Sequence, residues 1–247
     1  MNKKPSAVVI GVGAEEGLGA ALCRKFASEG YHLYVAGRTS QKINQVADSI
    51  RNAGDSAEAI VTDTTDEKSV SQLFERAFTP STFHEPPDLI VFNAGNNRKI
   101  DLLELTASQF EDFWRVGCFG GFLVGKEAVR NLLPLGRGTV LFTGASGSLR
   151  GKSGYAHFAA AKAGLRMITQ SMAREYGPQG LHIAHVIIDG GIKGERLKRH
   201  FPDRVKERGE AGLLGLEGIA ETYWFIHKQQ PTTWTQEIDL RPSGEPF

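Results

Sequence analysis

The chain has 247 residues, 40% apolar and 23% charged, with 29 basic residues set against 28 acidic ones for a formal net charge of +1. That balance excludes a disordered polyelectrolyte and offers no basic excess for nucleic acid or an anionic membrane. No stretch reaches the roughly 20 apolar residues of a membrane span, and two distant cysteines, Cys23 and Cys118, read as reduced packing residues rather than a disulfide framework.

Short apolar runs alternate with longer amphipathic ones along the whole chain. Lys3-Lys4 and the apolar run 7–10 resemble the start of a signal peptide, but Gly11, Gly13 and Glu15-Glu16 cut the run short, so the expectation is a soluble cytoplasmic protein. The run 7–10 reads as a first strand, followed by a helix at 19–29, a strand at 33–36 and a polar helix at 40–52. A strand at 57–62 precedes a helix that Asp66 caps and that runs to Phe78. Pro80, Pro86 and Pro87 mark a loose loop over 79–87 before a fourth strand at 89–92. A long helix is expected over 107–133, a strand at 139–143, a helix over 153–176 and a strand at 183–188. The charge-rich segment 193–210 reads as loop and helix; a last helix at 218–227 and a strand at 237–240 precede a loose tail over 241–247.

Strands apolar on both faces and separated by helices are the pattern of a parallel sheet covered on each side. The fold expected is therefore α/β: a doubly wound parallel sheet of about seven strands with helices on both faces, formed by residues 1–247 as a single domain.

The turn between first strand and first helix reads Gly11-Val12-Gly13-Ala14-Glu15-Glu16-Gly17-Leu18-Gly19. Glycines there permit a tight turn, close approach of backbone to a diphosphate and close helix–strand packing, while the helix amino terminus faces the phosphates. Gly13-x-x-x-Gly17-Leu18-Gly19, Asp63 after the third strand, Asn93-Ala94-Gly95 after the fourth, Lys162 and Asp189-Gly190-Gly191-Ile192 after the sixth together resemble the short-chain dehydrogenase/reductase family. The resemblance runs from Ala7 to about Leu240 and implies a Rossmann-type fold, a nicotinamide dinucleotide and a small-molecule substrate. It implies cofactor contacts at Gly13, Gly17, Leu18, Gly19, Asp63, Asn93, Ala94, Gly95, Lys162, Gly190 and Ile192, a substrate-covering segment at about 192–212, and a homodimer or homotetramer joined through helices 107–133 and 153–176. No metal is implied. The second strand ends in Ala36-Gly37-Arg38-Thr39 with no acidic residue, and the Arg38 guanidinium suits a 2′-phosphate, so NADP(H) is favoured over NAD(H). Glu15 and Glu16 run against that preference, unless they point away from the phosphate.

In the family that the sequence resembles, a tyrosine moves the substrate proton, a lysine one turn later lowers its pKa and holds the nicotinamide ribose, a serine orients the substrate oxygen and an asparagine supports a relay water. Here these positions fall on Phe158, Lys162, Ala145 and Gly117. Only the lysine is kept, and a phenylalanine has no proton to give, a loss typically worth a hundred- to ten-thousand-fold in rate. Ser146 and Ser148 beside Ala145, and Tyr155 two turns before Lys162 on the same face, are the candidate replacement donors; His157 points about 100° away round the helix. Asp189, where the family has Pro-Gly, reads as a turn residue, the alternative being a polar group near the nicotinamide ring. Three functions stay open: an NADP(H)-dependent oxidoreductase for a small carbonyl, alcohol or enone with a rebuilt proton path, a catalytically inactive NADP(H)-binding relic that senses or partners, and a purely structural homo-oligomer with an empty cleft.

Overall fold

A computed structural model describes residues 3–209 and 211–244, the side chain of Arg204 excepted. The first half of the chain runs β1 (Lys4–Ile10), α1 (Leu18–Ser28), β2 (His32–Gly37), α2 (Ser40–Asn52), β3 (Ser56–Val61), α3 (Glu67–Ala77) and β4 (His84–Phe92). It continues through α4 (Ala107–Trp114), α5 (Gly120–Leu132), β5 (Gly138–Thr143), α6 (Ala156–Tyr176) and β6 (Leu181–Ile188). Then come β7 (Gly191–Ile192), α7 (Glu195–His200), α8 (Pro202–Arg208), β8 (Leu213–Leu214), α9 (Leu216–His227) and β9 (Glu237–Leu240).

Seven strands form one parallel sheet in the order β3-β2-β1-β4-β5-β6-β9, and β7 and β8 form a small parallel pair beside it. This is the doubly wound Rossmann-type α/β architecture expected from the sequence. Alternation in β1 explains the two covered faces: Ala7 and Val9 pack with α1, α2 and α9, whereas Val8 and Ile10 pack with α3, α5 and α6. The strand order reverses between β1 and β4, so the loops leaving these strands part and leave a crevice at the carboxyl edge. Asp66 Oδ1 accepts from Lys68 N and caps α3 as expected, and Thr106 and Gln109 close a reciprocal capping box on α4.

Three expectations need correction. The prolines at 86 and 87 lie inside β4, which begins at His84. They are tolerated because β5 pairs with β4 only from Leu89 onward, which leaves the 84–87 stretch with one open side where no N–H is needed. The helix over 107–133 is not α throughout: Arg115–Phe119 is a π turn, in which the Gly120 N–H reaches back to the Arg115 carbonyl. Its Gly117 lies where a Cβ would stand 3.0 Å from Ala161 Cβ on α6. The tail is also held, since Gly244 N donates to Ala211 O at 2.9 Å. Residues 245–247 of that tail, and Glu210 of the charge-rich segment, lie outside the described residues.

Several histidines sit inside this sheet. His32 and His84 stack at 4.3 Å at the amino end of β2 and β4, and His227 hydrogen-bonds with Tyr31 at 2.7 Å and Thr139 at 2.9 Å. Burial drives the pKa of His32 and His227 down to about 4, with the neighbouring His84 adding to it for His32 and Lys228 for His227. Both rings are neutral in the folded protein and protonate near 6.5 once the chain unfolds, so between these values protons favour the unfolded state. Stability is therefore expected to be full above about pH 6.5 and to fall as the pH drops toward 4, by several kcal/mol in total. Urea midpoints measured between pH 7.5 and 4.5 check this, and His32→Asn should flatten the profile.

Candidate active site

Close approach of three loops builds the site. Gly11 has φ +92°, and a Cβ there would lie 2.4 Å from the Ala94 backbone nitrogen, so the turn after β1 touches the Asn93-Ala94-Gly95 turn after β4. Asn93 N donates to Ile10 O at 2.8 Å and Asn93 Nδ2 to Gly11 O at 3.3 Å, which locks the two turns together. Gly37 at the end of β2 is equally constrained, because a Cβ would stand 2.3 Å from the Val12 carbonyl oxygen. By contrast a Cβ on Gly13 would meet nothing within 4 Å: the space above this residue is open. Gly17 precedes α1 without any side-chain cap, so the Leu18 and Gly19 end of the helix presents backbone N–H groups at the crevice.

Lys162 on α6 enters from the other side. Its side chain is buried, its Nζ donates to the Thr143 carbonyl at 2.7 Å, and a Cβ on Gly95 would lie 3.3 Å from that Nζ. Burial lowers its pKa to about 8. Arg38, just after β2, is exposed. Partial burial pushes the Asp63 carboxyl up, but hydrogen bonds from Thr65 N and Oγ1, at 2.9 and 2.8 Å, and the charges of Arg38 and Arg115 hold it below its ordinary value. Gly190 packs against Pro242, and Ile192 in β7 pairs with Leu214.

The positions expected for chemistry are apolar or tied up. Phe158 stands one turn before Lys162 on α6, and its ring edge is 3.0 Å from where a Gly147 Cβ would be. Ala145 opens the turn after β5. Ser148 is buried and committed: its Oγ accepts from Ala145 N at 3.1 Å and pairs with His185 Nε2 at 3.3 Å. His185 Nδ1 lies 3.2 Å from Glu237, whose carboxylate is held in turn by both Nε and Nη2 of Arg166 at 2.7 Å. Burial holds the His185 pKa well below the ordinary imidazole value. Ser146 is half-buried in the same turn. Tyr155, with φ −131° and ψ 26°, is the flanking residue just before α6 and makes no side-chain cap. His157 packs inward, with Nε2 on the Arg98 carbonyl at 3.0 Å and its ring 4.2 Å from Phe113.

Two ion pairs were not legible from spacing. Asp189 is no simple turn residue: its buried carboxylate takes Arg150 Nη2 on both oxygens at 2.9 and 2.8 Å and also pairs with Arg241. A charged residue ending an apolar strand was the only sign of it. Glu16 turns away from the glycine loop: its carboxylate pairs with Lys198 at 2.7 Å and its carbonyl accepts Glu195 N at 2.9 Å. α7 thereby reaches the loop after β1, while Arg196 donates to the Asn97 carbonyl after β4. Beneath this bridge lies a cavity of about 370 Å³ lined by Asn96, Asn97, Arg98, Phe113 and Arg196 among others. A larger hollow of about 500 Å³, near Gly136, His182 and Trp234, belongs to the opposite, amino end of β5 and β6 and takes no part in this site.

Comparison with known proteins agrees with the geometry. The short chain dehydrogenase family model matches residues 7–204. The chain belongs to the short-chain dehydrogenase family. A short-chain dehydrogenase from Rhodopseudomonas palustris superposes with a TM-score of 0.81 at 34% identity, covering 98% of this chain and 100% of that one. The cis-4-hydroxycyclohexanecarboxylate dehydrogenase of Sinomonas cyclohexanicum is 32% identical over 71% of this chain and 70% of its own. A gluconate 5-dehydrogenase from Burkholderia cenocepacia, solved with NADP and tartrate, shares the fold with a TM-score of 0.84 at 21% identity, over 98% of this chain and 95% of that one. Among the described residues no cluster of histidine, cysteine or carboxylates could hold a metal, and no helix is long and apolar enough to cross a membrane.

The two ion pairs should behave differently. Asp189→Asn leaves two arginines around a neutral amide in a buried site and is expected to cost about 3–5 kcal/mol in urea unfolding. Glu16→Gln removes an exposed pair and should leave the urea midpoint where it is.

Proposed function

We propose that this short-chain dehydrogenase is an NADP(H)-dependent oxidoreductase for a small carbonyl, alcohol or enone, working as one domain with residues 192–212 over the substrate and with a proton path of its own. The observation that carries the reading is Lys162: an ammonium buried under Gly95, beside an uncapped helix end, is a costly feature that packing alone does not call for. The residues fit a dinucleotide. The N–H groups at Leu18 and Gly19 and the open space over Gly13 would take the diphosphate, Arg38 the 2′-phosphate and Asp63 the adenine end. Asn93, Ala94 and Gly95 would wall the nucleotide, Lys162 would hold the nicotinamide-side ribose, and Gly190 and Ile192 would meet the carboxamide through their main chain. Glu16 no longer argues against the 2′-phosphate, because Lys198 neutralises it.

When bound, the nicotinamide supplies or accepts the hydride. This chain's task is to orient the substrate, keep water out and manage one proton. Phe158 and Ala145, read as the family's tyrosine and serine positions, give none. Ser148 is taken by His185 and Ala145 N. That leaves Ser146, Tyr155 or a water as donor, with Lys162 as the nearest titrating cation. Assembly as a homodimer or homotetramer through the α4–α5 and α6 faces is part of the same proposal; Phe122 and Met167 are exposed there. The second reading, a relic that binds NADP(H) without turnover, is favoured by one observation: the side chain one turn before Lys162 on α6 is Phe158, which has no proton to give.

Calorimetry should show NADPH binding at micromolar levels and NADH at least tenfold weaker. Arg38→Ala should abolish that preference. Lys162→Met should weaken NADPH at least tenfold yet raise stability by about 1–3 kcal/mol, since it removes a desolvated ammonium. Absence of binding by either nucleotide would overturn the proposal. Turnover of a carbonyl or enone panel by the native chain supports the enzyme; turnover appearing only in Phe158→Tyr/Ala145→Ser supports the relic.

A further inference from the structure

Polar contacts, not core packing, hold α7 in place. No residue of this helix is buried, yet it spans the crevice with a foot on either side. On one side the Glu195 N–H donates to the Glu16 carbonyl at 2.9 Å, and Lys198 Nζ meets the Glu16 carboxylate at 2.7 Å. The backbones come close there: a Cβ on Gly194, just before the helix, would lie 2.8 Å from the Glu16 carbonyl oxygen. On the other side Arg196 donates to the Asn97 carbonyl in the loop after β4. The segment is rooted in the short β7–β8 pair, where Lys193 N donates to Leu214 O at 2.9 Å.

Glu16 lies in the turn between β1 and α1, two residues before Leu18. The Leu18 and Gly19 N–H groups, assigned above to the diphosphate, therefore stand beside one foot of α7. A dinucleotide laid from these groups toward Gly95 and Lys162 lies between the two feet. Each of the contacts joins protein to protein, so the helix can close over the crevice with or without a nucleotide below it.

We infer that α7 gates the dinucleotide as well as covering the substrate, and that Glu16 is the latch. The inference rests on the NADP(H)-binding reading. Opening requires the Glu195–Glu16 hydrogen bond, the Lys198–Glu16 pair and the Arg196 contact to part, while no buried side chain of α7 has to leave the core. Elements with so little buried surface open locally without unfolding the rest. Where such an element roofs a site, its opening sets how fast ligands enter and leave. A latch of equal strength over the filled and the empty crevice acts on both rates and cancels from the affinity.

Stopped-flow mixing of the full-length chain with NADPH gives the association rate, and a chase with excess NADP gives the release rate. Glu16→Gln and Lys198→Met should each speed release about two- to fivefold, the worth of one exposed ion pair. These changes alter the charge in opposite directions, so a field acting on the nucleotide phosphates would speed release in one and slow it in the other. Gly194→Ala changes no charge and drives a methyl against the Glu16 carbonyl. It should speed association and release alike, roughly threefold or more, with Kd held within about twofold. In all three variants the Glu195 amide should exchange its hydrogen faster without NADPH. Unchanged rates or exchange in all three, opposite shifts in Glu16→Gln and Lys198→Met, or faster release with unchanged association in Gly194→Ala would overturn the inference and leave the cofactor reading standing. A native chain that binds no NADPH would remove both.

Discussion

One buried ammonium organises this site. Lys162 gives up most of its hydration and receives the Thr143 carbonyl in return, and its pKa falls to about 8. Such a group persists only where the surrounding backbone over-determines it. Here the determinants are close backbone contacts that only glycine allows, Gly11 against Ala94 and Gly37 against Val12, together with the tight approach of Gly95 to Lys162 itself. They draw the turns after β1, β2 and β4 to within van der Waals distance at the point where the strand order reverses. The crevice is thus a consequence of topology, and its chemistry is a consequence of what Lys162 can reach.

Around that anchor the two sides of the crevice differ. The side formed by the turns after β1 and β2 has open backbone, an uncapped helix end and an exposed Arg38. Beside the turn after β5, the Ser148 hydroxyl is held by Ala145 N and His185. Ser148, His185, Glu237 and Arg166 form a continuous hydrogen-bonded chain from the turn after β5 to the edge strand β9. Asp189, Arg150 and Arg241 tie the ends of β5, β6 and β9 in the same way. Both networks stiffen the ground on which Ala145 and Phe158 sit, and both hold charge at the crevice rather than a titrating acid.

The sheet was legible because parallel strands covered on both faces are apolar throughout, and every strand of the main sheet was foreseen within a few residues. The misread stretches are those where local rules yield to tertiary context. Pro86 and Pro87 look like loop residues, but they continue a strand because β5 does not reach them. The π turn at Arg115–Phe119 leaves no trace in an apolar periodicity that drifts by one residue. The glycine loop, the Asn-Ala-Gly turn and Lys162 were legible since their spacing follows the backbone. Asp189 and Glu16 were not, because their partners Arg150, Arg241 and Lys198 come from 39 to 182 residues away. The start of α6 was read three residues early, so Tyr155 flanks the helix instead of lying in it, and no side-chain cap marks that start.

A crystal structure of the chain grown with NADPH tests the central claim most directly. The account predicts the diphosphate over the Leu18 and Gly19 N–H groups, with Lys162 Nζ about 3 Å from the hydroxyls of the nicotinamide-side ribose. A nucleotide lodged in the hollow at the opposite end of the sheet, or one seated in the crevice with Lys162 still bonded only to Thr143, would contradict it.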